Sequence, residues 1–287
     1  GCRRHGQGWQ TYAKRELPNY RVFDERRYCS PGLCVCVFEV QVVHVGLLVC
    51  EDAWFEEPAR LAKEAGAEVL AVINASPFHV GKGGERVARM AERARATGLP
   101  LIYAHLVGGQ DEVVFDGASF ALQADGTVAM QAEGFKENLP SVQVQRAQGA
   151  INFVVDAAAI AAPSEPLAQL WHALVLGVRD YVGKNGFPGI LLGLSGGIDS
   201  ALVLAIAVDA LGAANVRSVM MPSPYTADIS WIDARDMAQR MNVRYDEISI
   251  VPEFEAFKAS LAAEFKGLPE DTTEENIQAR IRGVILM

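Results

Sequence analysis

The fold of the C-terminal half is decided by the segment Gly193-Leu194-Ser195-Gly196-Gly197-Ile198-Asp199-Ser200. It lies between an apolar run, Ile190–Leu194, and an apolar helical pattern, Ser200–Leu211. Two consecutive glycines allow the backbone to turn tightly, so that N–H groups converge on an anion at the start of the helix, where the helix dipole also favours negative charge. The two serines add hydroxyl donors, and Asp199 is a candidate ligand for Mg²⁺. The segment therefore predicts a phosphate-binding loop.

Strands and helices alternate after this loop. Val216–Met221 and Tyr245–Ile250 read as strands, and Ile232–Met241 reads as the helix between them. A strict β-α-β-α-β order predicts a doubly wound parallel sheet. Before the loop, Leu167–Tyr181 reads as a helix with Ser164 as its N-cap. We predict that this α/β domain occupies residues 161–287.

The N-terminal half has the pattern of a layered α/β domain over residues 1–160. A small-residue stretch, Ala157–Pro163, ends this half and reads as a linker. Its predicted elements are strands at Leu33–Phe38, Val42–Cys50, Glu68–Asn74 and Leu101–His105, helices at Glu56–Gly66 and Gly84–Thr97, and a hairpin of Ala118–Leu122 with Thr127–Met130 across Asp125-Gly126.

Composition excludes several classes of protein. The 287 residues carry a net charge of −9, which argues against a broad nucleic-acid surface. No apolar run reaches the length of a membrane span, so no membrane partner is expected. Five cysteines without a second metal-spaced pair suggest reduced thiols in a cytoplasmic protein and no zinc site. They are Cys2, Cys29, Cys34, Cys36 and Cys50, and Cys34 and Cys36 alternate as strand residues would.

The loop 193–200 is not a Walker loop, because Gly-Lys-Ser is absent. A glycine-rich turn with no ligand is the simpler alternative. Ser-Gly-Gly-x-Asp-Ser between a strand and a helix nevertheless resembles the N-type ATP pyrophosphatases, which cut ATP between its α and β phosphates. The stretch Glu275–Arg282 alone would be a solvated helix face, but together with the loop it resembles the NAD synthetase family over Leu167–Met287. That resemblance implies ATP as a substrate, Mg²⁺ at Asp199, and contacts of Asn276 and Arg280 with deamido-NAD.

Cys50 ends a mostly apolar strand and precedes Glu51-Asp52-Ala53-Trp54. A thiol at such an exit can be lifted out of the sheet, with the following amides as oxyanion donors. A small buried hydrophobic residue is the alternative. A lysine beside the thiol would favour the thiolate, and Lys14 in Tyr12–Tyr20 is the candidate. Lys14 and Cys50 together resemble the lysine and the nucleophile of the carbon–nitrogen hydrolase (nitrilase) superfamily, whose catalytic set is Glu, Lys and Cys.

The surrounding motifs resemble the glutaminase domain of the glutamine-dependent NAD synthetases. Leu17-Pro18-Asn19-Tyr20, followed by Phe23-Asp24-Glu25-Arg26-Arg27-Tyr28, and the motif Asn74–Lys82 are the matching stretches. The resemblance implies that Tyr20, Ser76 and Lys82 contact glutamine. It also implies that Glu25 is a supporting carboxylate near the nucleophile.

The family's general-base glutamate lies well upstream of its lysine, whereas Lys14 follows only 13 residues here. Glu16, on the same segment as Lys14, cannot replace a base that arrives on another strand. The chain also closes on the apolar run Val284–Met287. We therefore expect an internal part of a longer synthetase with both domains incomplete. We expect the 287 residues alone to form no NAD and to be poorly soluble.

The resemblance implies ATP-dependent amidation of deamido-NAD to NAD by an adenylylated intermediate, with glutamine as the ammonia donor. We expect the full-length protein to be a homo-oligomer. GMP and asparagine synthetases share the phosphate loop, but the nitrilase-like first half argues against both. A stand-alone nitrilase-type amidase and a catalytically silent interaction module remain open alternatives.

Overall fold

The structure is a computed structural model that describes residues 2–3, 9–19, 24–154, 160–162, 164–269 and 271–287. The chain forms two compact units, Gly1–Ala173 and Leu174–Met287. The predicted domain boundary between residues 160 and 161 stays a prediction, and the stretch read as a linker lies largely outside the described residues. In the described part of the chain, no helix is both long enough and apolar enough to cross a membrane.

The first unit is an α/β domain built on a six-stranded mixed sheet. The elements of the unit are β1 (Cys2–Arg3), β2 (Trp9–Gln10), α1 (Glu25–Tyr28), β3 (Cys36–Val40), β4 (Val43–Val49), α2 (Glu56–Glu64), β5 (Val69–Asn74), α3 (Lys82–Thr97), β6 (Leu101–His105), β7 (Val107–Gln110), β8 (Val113–Asp116), β9 (Phe120–Leu122), β10 (Val128–Gln131), β11 (Gln143–Ala147) and β12 (Ala150–Val154). The strand order across the six-stranded sheet is β10-β9-β6-β5-β4-β3, with β4, β5 and β6 parallel.

Both faces of this sheet bury apolar side chains. On one face, Leu48, Leu70 and Tyr103 pack with Met90 of α3 in the main core. On the other face, Val69, Ala121 and Met130 pack with the inward residues of the β11–β12 hairpin, Ile151 and Phe153. Strands covered on both faces read as continuous apolar runs, and for this reason the parallel strands could be predicted from the sequence.

The second unit contains a three-stranded parallel sheet with helices on both faces. Helix α4 (Pro166–Lys184) spans the division between the units and is followed by β13 (Ile190–Gly193), α5 (Ile198–Leu211), β14 (Val216–Met220), α6 (Asp228–Arg240), β15 (Arg244–Glu247), α7 (Val251–Leu261) and α8 (Thr272–Leu286). Met220 points to the core shared with Leu204 and Ala234, whereas its neighbour Val219 packs with Phe254 and Ile281. Because α5 and α6 cover one face and α7 and α8 the other, the predicted α/β architecture with a doubly wound parallel sheet is confirmed.

Several predictions were wrong about the residue at which a strand or helix begins or ends. Cys34 is exposed and precedes β3, so only Cys36 of the two alternating cysteines is a strand residue. Helix α4 begins at Pro166, so Ser164 does not immediately precede it. The third parallel strand ends at Glu247 instead of Ile250, because Ile250 is buried at the start of α7.

Candidate functional site

Cys50 is the first residue after β4 and begins a short 3-10 helix, Cys50–Trp54. Its φ is +53°, which is uncommon for a residue other than glycine and reverses the chain sharply where the strand ends. The neighbouring parallel strand β5 pairs Ile73 with Val49, so Cys50 lies beside the end of β5. The predicted sharp exit at the cysteine is confirmed.

The Cys50 thiol is in a partly buried polar environment. Burial raises its pKa, and this effect outweighs the effect of the Lys14 charge, which lowers it. Hydrogen bonds with the backbone of Ala75 and Glu51 also lower the pKa, whereas the Glu51 carboxylate raises it. The lysine therefore favours the thiolate as expected, but it does not overcome the desolvation of the thiol.

Lys14 is bound to Glu25. The Lys14 Nζ atom lies 2.8 Å from Oε1 and 2.7 Å from Oε2 of Glu25 in α1, and the lysine side chain is only 14% exposed. The carboxylate that resemblance places near the nucleophile therefore contacts the candidate lysine directly. Tyr20, on the chain between them, lies outside the described residues.

Ser76 follows the carboxyl end of β5 in a buried polar cluster. Its hydroxyl oxygen lies 3.1 Å from the Asn74 side-chain amide and 3.4 Å from His105 Nε2 at the end of β6. With the Asn74 amide oriented so that its oxygen faces donors, this oxygen accepts hydrogen bonds from the Ser76 backbone N–H and from the Tyr103 hydroxyl. The ends of three neighbouring parallel strands thus place Cys50, Asn74 and His105 along one edge of the sheet.

Lys82, the other predicted glutamine contact, is the first residue of α3. Its Nζ lies 4.0 Å from the centre of the Trp54 ring, a cation–π contact, and 3.1 Å from Glu85 Oε2. Trp54 ends the 3-10 helix that Cys50 begins. Lys82 therefore contacts the last residue of the short helix that begins at Cys50. Its contact with glutamine stays a prediction.

A buried charged group lies behind Ser76. Arg86 donates a hydrogen bond to Asp116, and Asp116 Oδ1 lies 3.8 Å from His105 Nε2. His105 Nδ1 is 2.7 Å from the Leu106 carbonyl, so Nδ1 carries the proton of the neutral ring. Burial, followed by the Arg86 charge, lowers the pKa of His105 to about 4. Arg86, His105 and Asp116 also line a cavity of about 520 Å³.

In the second unit, the predicted phosphate loop is held by its own serines. Ser200 Oγ accepts a hydrogen bond from the Ser195 backbone N–H at 3.2 Å and donates to the Gly197 carbonyl at 2.9 Å. Ser195 Oγ accepts from the Gly197 N–H at 3.3 Å. Gly196 has φ +80°, and a Cβ there would lie 2.4 Å from the Ser230 carbonyl oxygen. The loop therefore makes the tight turn that the glycine pair predicted, and position 196 requires glycine to make it.

A cavity of about 710 Å³ adjoins this loop and includes Gly193, Leu194 and Ser195 in its lining. Helix α8 contributes a different face to the cavity from the one expected, namely Glu274, Glu275, Gln278 and Arg282. Asn276 and Arg280 are exposed and hydrogen-bonded to each other, with Arg280 Nη1 3.1 Å from Asn276 Oδ1. The structure does not bring these two to the cavity lining, and their contact with deamido-NAD stays a prediction.

Asp199 lies in the first turn of α5 and is exposed. Within the described residues, no group of three or more His, Cys, Asp or Glu side chains could hold a metal ion alone. Mg²⁺ is commonly held by one or two carboxylates together with substrate phosphates. A carboxylate in a phosphate loop fits this mode, although Asp199 is not among the residues that line the cavity, as Glu275 is.

Four polar residues near Cys50 were missed from the sequence, namely Tyr12, Asp52, Asn74 and His105. Asn74 and His105 each end an apolar parallel strand, and that position is a signal for a functional edge. Asp52 is fully buried, which its place beside Glu51 in an acidic pair did not indicate.

Comparison with known proteins agrees with this two-part architecture. The carbon–nitrogen hydrolase family model matches residues 3–150, and the NAD synthase model matches residues 170–287. The chain is 49% identical over 284 residues to a glutamine-dependent NAD(+) synthetase of Xylella fastidiosa, covering 98% of this chain and 52% of the relative. It is 45% identical over 277 residues to one of Acinetobacter baylyi, covering 96% and 50%.

Among solved structures, the glutamine-dependent NAD+ synthetase of Acinetobacter baumannii in complex with ADP superposes with a TM-score of 0.91. It shares 42% identity with the chain over 98% of this chain and 53% of its own length. The chain therefore spans about half the length of the relatives it matches. Since the carbon–nitrogen hydrolase model alone covers just over half of the chain, the chain belongs to the carbon–nitrogen hydrolase family and continues into a segment that matches NAD synthase.

Proposed function

We propose that the protein amidates deamido-NAD to NAD in an ATP-dependent reaction, with glutamine as the source of ammonia. The observation on which this depends is the combination in one chain of a cysteine–lysine pair at a sharp strand exit and a serine-braced phosphate loop. The family-model matches and the relatives with both segments support the same assignment.

In the first unit, the Cys50 sulfur attacks the side-chain amide carbon of glutamine and ammonia leaves, which forms a thioester. Lys14 favours the thiolate, and it and the backbone N–H groups near the thiol stabilise the developing oxyanion. The thiol proton goes to the general-base glutamate that the family resemblance places upstream of Lys14, and from there to the departing nitrogen, which leaves as ammonia. Water then hydrolyses the thioester to glutamate. Tyr20, Ser76 and Lys82 are proposed to bind the glutamine.

In the second unit, the loop 193–200 binds the phosphates of ATP through backbone N–H groups and serine hydroxyls. The nicotinate carboxylate of deamido-NAD attacks the α-phosphorus of ATP and pyrophosphate leaves. Ammonia then displaces AMP to give the amide. Activation is needed because a free carboxylate is a poor acyl donor.

Asp199 is proposed to hold Mg²⁺, and Glu275 lines the cavity that adjoins the loop. When bound, the ion neutralises charge on the departing pyrophosphate. Asn276 and Arg280 are proposed as contacts to deamido-NAD. We also propose a homo-oligomeric, cytoplasmic enzyme, on the basis of the family resemblance and the sparse cysteines.

The experiment that tests the assignment compares two nitrogen donors in the full protein that contains this chain. Cys50→Ala should abolish NAD formation with glutamine and leave formation with ammonia intact, because the thiol serves only ammonia release. Equal loss with both donors would contradict the two-site assignment. Pyrophosphate–ATP exchange that depends on deamido-NAD separates the synthetase from a stand-alone amidase, which would show none.

A further inference from the structure

Asp52 is a fully buried carboxylate two residues after Cys50, in the same short 3-10 helix. A buried carboxylate is costly unless hydrogen bonds replace its lost hydration. Here the hydrogen bonds come from the segment that contains Lys14. Asp52 Oδ1 accepts from the backbone N–H of Arg15 at 3.0 Å and of Glu16 at 2.7 Å, and Oδ2 accepts from the Tyr12 hydroxyl.

The three donors lie on both sides of Lys14 in the chain, at residues 12, 15 and 16. Burial and the bond to Asp52 raise the pKa of Tyr12, so the hydroxyl stays protonated and continues to donate. None of the three donors carries a formal charge. Asp52 is thus hydrogen-bonded by neutral groups, and the Lys14 ammonium forms its ion pair with Glu25.

We propose that Asp52 is a positioning residue of the glutaminase site, which fixes the Lys14 segment against the Cys50 thiol through these three hydrogen bonds. This inference deepens the proposed function and rests on its pairing of Lys14 with Cys50. Asp52 does not contact the substrate in this proposal. It joins the backbone on both sides of the lysine to the helix that begins at the cysteine.

The proposal predicts that removal of Asp52 raises the pKa of Cys50, whereas the direct effect of losing a negative charge would lower it. The largest charge effects on Cys50 come from Lys14, which lowers the thiol pKa, and from Glu51, which raises it. Removal of another nearby negative charge would by itself lower the pKa of Cys50. If Asp52 acts by holding Lys14 in place, its removal moves the ammonium away and raises the pKa of Cys50.

The experiment measures the pH midpoint of Cys50 alkylation by iodoacetamide, followed by peptide-resolved mass spectrometry of the full protein. The exposed thiols of Cys29 and Cys34 serve as internal references. Asp52→Ala should raise the Cys50 midpoint by about one pH unit, the smaller end of the shift expected for loss of an adjacent opposite charge. Asp52→Asn is the matched variant, because it removes the same charge and keeps an oxygen that accepts both backbone bonds. It should shift the midpoint by clearly less.

The dependence on Lys14 is tested in a double-mutant cycle. Lys14→Met should raise the Cys50 midpoint, and adding Asp52→Ala to it should give no further increase. If circular dichroism shows that the Asp52→Ala variant is unfolded, Tyr12→Phe is used in its place. It should raise the Cys50 midpoint by a smaller amount, and this rise should also be absent when Lys14→Met is present.

Three results would overturn the inference: a lower or unchanged midpoint in the Asp52→Ala variant, equal shifts in the Asn and Ala variants, or additive shifts with Lys14→Met. In each of these cases the Lys14→Met shift itself leaves the proposed Lys14–Cys50 pair standing. If Lys14→Met leaves the midpoint unchanged, that pair is wrong, and the inference falls with it.

Discussion

The Lys14 ammonium is bound by both carboxylate oxygens of Glu25, at 2.7 and 2.8 Å, while its charge also acts on the Cys50 thiol. The lysine is therefore hydrogen-bonded to a carboxylate while its charge acts on a thiol that becomes negative during the proposed reaction. A fixed carboxylate keeps the long side chain in one place. Bonds to both oxygens also fix its direction.

Glu25→Gln should slow glutamine hydrolysis by about 10²-fold, because the lysine loses the partner that orients it. Ammonia-driven NAD formation should not change. Release of glutamate from glutamine and NAD formation from ammonia are the two measurements. Asp24→Asn is the matched control, since the Asp24 carboxylate is exposed and pairs with Arg27 at 3.6 Å, so it should leave both rates near wild type. Equal effects of the two variants would contradict a specific role for Glu25.

The sequence could predict the parts of this site that depend on local chemistry. The glycine pair at 196–197 predicted a tight loop, and the apolar runs predicted where strands end, because these features follow from backbone sterics and burial. Asp52 could not be predicted, since its partners Arg15 and Glu16 are distant in the chain and donate through backbone atoms that carry no residue-specific signal.

The face of α8 that lines the cavity could not be predicted from the sequence either. Asn276 and Gln278 are two residues apart and lie on different sides of the helix, and polar residues occur on both sides. The packing of Ile281, with Ile277 and Ile285, in the cluster around Phe254 fixes the rotation that turns Gln278 and Arg282 toward the cavity. Helix rotation depends on tertiary contacts, which a single sequence does not specify.

Asp199→Asn should suppress NAD formation with either nitrogen donor, while glutamine hydrolysis persists. The amide keeps the shape of the side chain but loses the charge proposed to hold Mg²⁺, and such a role is worth several kcal/mol in the transition state. Assays with glutamine and with ammonia, over a range of Mg²⁺ concentrations, measure this effect. Near wild-type synthesis would reduce Asp199 to a helix-start residue.

Gly196→Ala should strongly impair the ATP-dependent steps. Its positive φ and the Ser230 carbonyl oxygen 2.4 Å from the added Cβ both oppose the substitution, so the loop must shift. Gly197→Ala is the matched control, because its φ is −84° and the nearest atom to a Cβ is Ser195 Oγ at 3.4 Å. Pyrophosphate–ATP exchange should fall much further in the first variant than in the second. Similar losses would mean that the backbone at Gly196 is not special.

Asp116→Ala should destabilise the first unit by about 3–5 kcal/mol, because it leaves the buried Arg86 charge without its partner. Glu64→Gln breaks the exposed Arg60–Glu64 pair within α2 and should cost about 0.5 kcal/mol or less. Urea unfolding followed by circular dichroism gives both values. A small effect of Asp116→Ala would show that water reaches Arg86 in the native state.

His105 should make the first unit less stable as the pH falls from about 6.5 toward 4. Burial and the Arg86 charge lower its folded-state pKa to about 4, whereas the unfolded value is near 6.5. Between these values the unfolded chain binds more protons than the native state, so the free energy of unfolding decreases as the solution is acidified.

The expected loss of unfolding free energy between pH 7.5 and pH 5 is about 2 kcal/mol. Urea unfolding at these two pH values measures it, and His105→Asn, which does not titrate there, should lose that part of the difference. If the free energy of unfolding changed equally between the two pH values in both proteins, groups other than His105 would cause the effect.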